Sequence, residues 1–161
     1  LMITKSSNLA TNILIGKLDA KKVTQTMRTL GADSIEVLRG VEDIKAFEAG
    51  LSNSTTAADL LAIFTSLKSD TLISAQANKQ MIEVLKAQHY NDMIPAKLPE
   101  GTEVAHKTGW ITGVHHDSGI VYLPDGRSFV LIILSKEAPD REAVLNAGAN
   151  ISRMLYEFEL K

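Results

Sequence analysis

The segment that most constrains the fold is Val104-Ala-His-Lys-Thr-Gly-Trp-Ile-Thr-Gly-Val-His-His-Asp-Ser-Gly-Ile-Val-Tyr-Leu123. Two runs rich in β-branched and aromatic residues flank a glycine-punctuated bend, which reads as strand, turn, strand. A third run, Ser128-Phe-Val-Leu-Ile-Ile-Leu134, follows Pro124-Asp-Gly-Arg127, where proline presets φ and glycine accepts a positive one. Residues 129–134 are continuously apolar, as in a strand covered on both faces. Strands are expected near 103–108, 117–123 and 128–135, forming an antiparallel sheet. At the centre stands Lys107-Thr108-Gly109. On an edge strand facing a cleft, lysine offers charge, threonine a hydrogen bond, and glycine a close approach to backbone, which together suit a carboxylate-bearing ligand. Alone, the triplet reads first as a strand end with a solvated lysine.

Around this sheet the pattern is helical. Ser6-Ser7-Asn8 is a polar turn that can cap an apolar helix reaching Ile15. Asp19 and Gly31 bracket a second helix, with Val23, Met27 and Leu30 as its stripe. Residues 39–54 have no sustained period, and a loop of that length inside a compact fold is often functional. Thr55 or Thr56 caps the next helix, which carries Leu60, Leu61, Phe64 and Leu67 on one side. Another runs from Ser74 to Gln88, with Met81, Ile82 and Leu85 turned inward. Pro95 and Pro99 bracket a connector to the first strand. A last amphipathic helix, from Asp140 to Phe158, is expected to cover the sheet with Val144, Leu145, Ile151, Met154, Leu155 and Phe158. The expected class is α+β. A single domain over 1–161 divides into a mainly helical half, 1–90, and a sheet with its closing helix, 91–161, and the site lies in the crevice between them.

Composition removes several function classes. A net charge of −2 leaves no basic footprint for nucleic acid. No apolar run is long enough to cross a membrane. The absence of cysteine excludes a disulfide frame, a thiolate zinc site and a cysteine nucleophile. His89, His106, His115 and His116 lack metal-ligand spacing, and no glycine-rich phosphate loop is present, so neither metal nor cofactor is expected.

Ser-x-Asn opening a helix, with Lys-Thr-Gly on a strand about a hundred residues later, forms two of the three signatures of serine β-lactamases and penicillin-binding proteins. The chain resembles the class A β-lactamase family over essentially its whole length. The resemblance implies that Ser6 relays a proton to the β-lactam nitrogen and Asn8 binds the substrate side-chain amide. Lys107 would hold the substrate carboxylate and polarise Ser6, with Thr108 and Gly109 beside it. The backbone N–H of Trp110 would be one of two oxyanion donors. Asn12 would brace the long loop from beneath, and Arg39 would open it. The implied substrate is a β-lactam or a peptidoglycan-like peptide, and the implied location is periplasmic or secreted.

Four positions depart from that pattern. Ser7 replaces the aspartate of Ser-Asp-Asn. Val41 stands where the family places its deacylating glutamate, two residues after the loop's arginine; Glu42 follows, and Asp43 and Glu48 lie further on. His115-His116 occupy the stretch where a substrate-carboxylate arginine is often found, and His116 could replace it in part when protonated. Finally, no Ser-x-x-Lys occurs; the nearest, Thr65-Ser-Leu-Lys68, lies inside an amphipathic helix. The chain is therefore expected to be the C-terminal part of a hydrolase, inactive alone, whose nucleophile segment lies in front of Leu1 or on a separate chain. A peptidase, or a binding module that has lost the nucleophile, are the alternatives.

Overall fold

The computed structural model describes residues 1–69 and 72–161. Its elements run α1 (Met2–Lys5), α2 (Asn8–Leu18), α3 (Ala20–Thr29), α4 (Ile44–Glu48), α5 (Ala57–Lys68), α6 (Ala75–Lys86), β1 (Val104–Ile111), β2 (Val114–Tyr122), β3 (Ser128–Leu134) and α7 (Arg141–Glu159). The three strands form an antiparallel sheet in the order β1-β2-β3, so the fold is α+β. Helices α5 and α6 pack on one face and α7 on the other. Among the described residues no helix is long and apolar enough to cross a membrane.

Local chemistry explains the helix starts. Ser7 caps α2, Asp19 caps α3, Ser74 caps α6 and Asp140 caps α7, each side chain accepting a backbone N–H of the first turn. Thr56 and Asp59 make a reciprocal capping box on α5. The long loop holds a short helix, α4, capped by Asp43, where no period was expected. Five residues are too few to show one.

Both hairpin strands are longer than expected. Trp110 pairs with His115 and Gly109 with His116, so the bend contracts to Thr112-Gly113, with Gly113 at φ 73°. A two-residue loop whose backbone matches the strand twist lets the ladder continue to its end. Both histidines are therefore strand residues.

The core has two layers. Val104, Val121, Leu131, Ile94 and Tyr156 fill the α7 side, and Ala105, Ile120, Phe64, Leu67 and Leu85 fill the other, as strand alternation requires. The expected covering face of α7 needs correction. Gly148, Ala149, Ser152 and Tyr156 are the buried positions, whereas Met154 and Phe158 stay about two-thirds exposed. Small residues let α7 approach Met93 and the sheet closely, and a sheet of three strands is too narrow to cover the rest of the stripe. Two further apolar surfaces are open: Leu9, Ile13 and Leu18 on α2, and the outer edge of β3, which has no strand partner among the described residues.

Gly119 faces His106 across the ladder, and a Cβ there would lie 2.5 Å from His106 Cβ and 2.7 Å from the Ala105 carbonyl oxygen. A Cβ at Gly148 would meet side-chain atoms alone, Met93 Cγ at 2.6 Å and Sδ at 2.9 Å, with Ile133 Cδ1 in ordinary contact at 3.5 Å. Gly119→Ala is therefore expected to lower stability by about 3 kcal/mol through overpacking against backbone. Gly148→Ala should cost less than about 1 kcal/mol, because methionine yields and alanine favours the helix. Urea midpoints of the two variants check the order.

Candidate active site

Ser6 and Lys107 lie 101 positions apart in the chain, yet Lys107 Nζ donates to Ser6 Oγ at 2.5 Å and also to the carbonyl of Thr108. Two anchors place the serine. The Gln88 side chain donates to the Ile3 carbonyl at 2.9 Å, and the His89 N–H donates to Thr4 O at 3.0 Å, tying α1 to the end of α6. Ser6 itself sits at φ 49°, in the left-handed region, between α1 and the cap of α2. That sharp turn brings its hydroxyl over β1, and Asn8 begins the helix beside it. Burial pulls the Lys107 ammonium below the usual lysine range, and the charge of Asp117 opposes that fall in part. An ammonium is only a donor, so Ser6 Oγ accepts from it and keeps its own proton to give.

Downstream of Lys107, β1 is the sheet edge. Thr108, Gly109 and Trp110 line a cavity of about 270 Å³ with His115 and His116 of β2 and Arg141 of α7. Trp110 is 71% exposed, and what the sheet holds at this position is its backbone, paired with His115 of β2. His116 is a poor cation here. Its Nδ1 accepts the Ser135 N–H at 3.1 Å, and burial lowers its pKa below the ordinary histidine value. Arg141, ion-paired to Asp92, is the permanent cation on that wall. Among the described residues no three His, Asp or Glu side chains converge where a metal could be held.

The long loop is fastened from both sides. Asn12 grips the backbone of Val41, donating to its carbonyl at 2.9 Å and accepting its N–H at 2.7 Å. Arg39 reaches the Leu51 carbonyl at 2.8 Å and lies 5.3 Å over the Phe47 ring. Asn53 accepts the N–H groups of Leu38 and Arg39, and a bridge between Glu36 and Ser54 closes the base.

The profile of the β-lactamase enzyme family matches residues 1–158. The chain belongs to the β-lactamase family. It is 38% identical over 74 residues to the extended-spectrum β-lactamase PER-1 of Pseudomonas aeruginosa, covering 40% of this chain and 23% of that protein. To a β-lactamase of Bacillus licheniformis it is 27% identical over 136 residues, 81% of this chain and 44% of the other. The solved structure of PBP-A superposes with a TM-score of 0.89 at 28% identity, over 100% of this chain and 60% of that one. A mutant of PBP-A has been solved as an acyl-enzyme complex with penicillin G. The chain thus spans less than two thirds of the length of these relatives.

Within this family member, Ser6, Lys107, Thr108, Gly109 and Trp110 come together around the β1 edge. Glu42 is exposed, at φ 63°, one residue past the backbone that Asn12 holds. Sequence reasoning missed Gln88, Arg141 and the buried Asp117. The last of these left a signal, since an acidic residue inside an otherwise buried strand is almost always paired.

Because the native pKa of Lys107 is lowered, the native state releases that proton before the unfolded chain does. The unfolded state then binds more protons, so this group makes stability rise with pH between the lowered value and the ordinary lysine pKa of about 10.4. Denaturant midpoints across that window should rise less steeply in Lys107→Met than in the parent.

Proposed function

We propose that the chain forms the proton-relay and carboxylate-binding part of a serine hydrolase that opens β-lactam rings through an acyl-enzyme. The observation that carries this reading is the 2.5 Å contact of Lys107 with Ser6, set beside the Thr108–Trp110 edge. Lys107, with Thr108, holds the substrate carboxylate, and Gly109 leaves the backbone open to the ligand. Asn8 binds the substrate amide, and the Trp110 N–H stabilises the oxyanion. His116 offers a neutral ring on the far wall, where Arg141 supplies the fixed positive charge. The nucleophile is a serine of a Ser-x-x-Lys segment outside these residues. Its hydroxyl attacks the lactam carbonyl and gives its proton to the lysine of that segment. The C–N bond breaks, the Ser6 hydroxyl proton goes to the leaving nitrogen, and the proton taken up by that lysine restores Ser6, so that Lys107 keeps its charge on the carboxylate. Water then releases the acyl group. The exposed apolar side of α2 and the open edge of β3 are the surfaces such a segment, on this or a separate chain, would cover. No cofactor takes part, and the location is periplasmic or secreted.

The 161 residues alone should not turn over a chromogenic cephalosporin. Turnover stopped by a covalent serine inhibitor would place a nucleophile within them and overturn the assignment. In a protein carrying the Ser-x-x-Lys segment, Lys107→Ala should lower kcat/KM far more than loss of any other lysine of these 161 residues. A charge-assisted contact is worth roughly 1.5–3 kcal/mol. A fall below about fivefold, or about 1 kcal/mol, would make Lys107 an ordinary surface lysine.

A second reading, a D-alanyl-D-alanine peptidase that keeps its acyl group longer, is favoured by the loop: Asn12 holds Val41, and Glu42 is exposed. We assign the deacylating carboxylate to Glu42, since Asp43 is committed to capping α4 and Glu48 ends that helix. In Glu42→Gln, acylation should survive and the acyl-enzyme should persist as a mass increment. Release as fast as in the parent would make Glu42 a bystander.

A further inference from the structure

Beside Asp59, which serves the capping box of α5, a second buried carboxylate is unused by the reading above. Asp117 of β2 is 0% exposed, and both its oxygens are engaged: Oδ1 lies 2.8 Å from His106 Nδ1, and Oδ2 accepts the Ile94 N–H at 2.9 Å. His106, 1% exposed, is held at its other nitrogen, with Nε2 3.0 Å from Asn91 Oδ1. The side chains of His106 and Asp117 lie on the α7 face with Val104 and Val121, and Lys107 lies on the opposite face with Ala105. His106 reaches Asp117 diagonally because Gly119, its direct partner across the ladder, has no side chain in the way.

These bonds continue toward the serine. Asn91 Nδ2 donates to the Gln88 carbonyl at 3.4 Å, and the Gln88 side chain donates to the Ile3 carbonyl at 2.9 Å, three residues before Ser6. The circuit closes through the contact of Lys107 with Ser6. The charged and titratable groups on the elements packed about Lys107 can be taken in turn. Lys5 and Lys79 are exposed, and Lys86 of α6 is paired with Glu83 and Glu103. In the connector Asp92 is tied to Arg141, and on β2 His116 is shifted toward its neutral form while His115 lies opposite Trp110. His106, next to Lys107 on β1, is bound to Asp117. Asp117 is the group whose charge acts on Lys107.

We propose that Asp117 is a positioning residue for the Lys107–Ser6 contact: it pins β1 to the connector through His106 and Ile94, and it sets a carboxylate behind Lys107 on the far face of the sheet, one place along β2 from Ser118, the ladder partner of Lys107. Its meaning for catalysis rests on Lys107 being the carboxylate clamp. The contact itself does not, so the test is made without substrate.

The Lys107 side chain can be titrated by carbon NMR of its ε-methylene in the 161-residue chain, with Lys107→Arg assigning the signal. In Asp117→Asn the Lys107 midpoint should shift to lower pH than in the parent. His106→Gln disturbs the same packing but keeps the carboxylate, and it should not lower that midpoint. Asp117→Ser, smaller and equally uncharged, is the second variant should the buried asparagine prevent folding. An unchanged midpoint in a folded Asp117 variant overturns the proposal, as does an equal fall in His106→Gln. Failure of both Asp117 variants to fold, beside a folded His106→Gln, also overturns it, because the carboxylate would then serve the fold alone. Absence of acyl transfer in a longer protein would count against the functional reading and leave this titration untouched.

Discussion

A half-buried ammonium held against a serine hydroxyl sets the terms for the rest of this structure. Taking a cation out of water is costly unless acceptors and opposite charge compensate it. Lys107 has two oxygens within reach, from Ser6 and Thr108, and the field of a carboxylate on the other side of the sheet. Burial weakens the lysine as a base, yet the same exclusion of water strengthens any contact it makes with an incoming anion. The position is therefore a compromise between keeping the charge and using it.

Both partners of that contact are fixed from distant parts of the chain. The lysine belongs to an eight-residue strand paired along its whole length with β2. The serine belongs to a turn in a sparsely populated backbone region, which persists only where the surroundings over-determine it. Here α1 is tied to the end of α6 by Gln88 and His89, and α2 begins at once with its own cap. The long loop is placed by the same logic: Asn12, one turn into α2, holds Val41 with both ends of its amide. One short helical hairpin thus positions both the serine and the loop.

What could be read from the sequence follows from how local each cause is. The helix starts at Asp19, Ser74 and Asp140, at Ser7 among Ser6-Ser7-Asn8, and at Thr56 beside Thr55 were legible because a cap is settled within one helical turn, although Asp19 alone was singled out as a cap. The strands around Lys107 and the turn at Pro124–Arg127 were legible for the same reason, although the ladder ran on to Ile111 once Gly113 allowed a tight turn. The covering face of α7 was misread because periodicity finds apolar residues, whereas close packing on a narrow sheet selected Gly148, Ala149 and Ser152. The bond between His106 and Asp117 depends on register and on a missing side chain at Gly119, neither of which any short window contains. The meeting of Ser6 and Lys107 was accessible only through the family resemblance, since nothing in either segment points to the other.

The central claim is that Ser6 and Lys107 are energetically coupled across the chain. A double-mutant cycle of Ser6→Ala and Lys107→Met, read by urea unfolding of the 161-residue chain, measures this most directly. A hydrogen bond to a charged group predicts a coupling of about 1.5 kcal/mol or more. Additivity within about 0.3–0.5 kcal/mol, the range found for independent sites, would contradict the account.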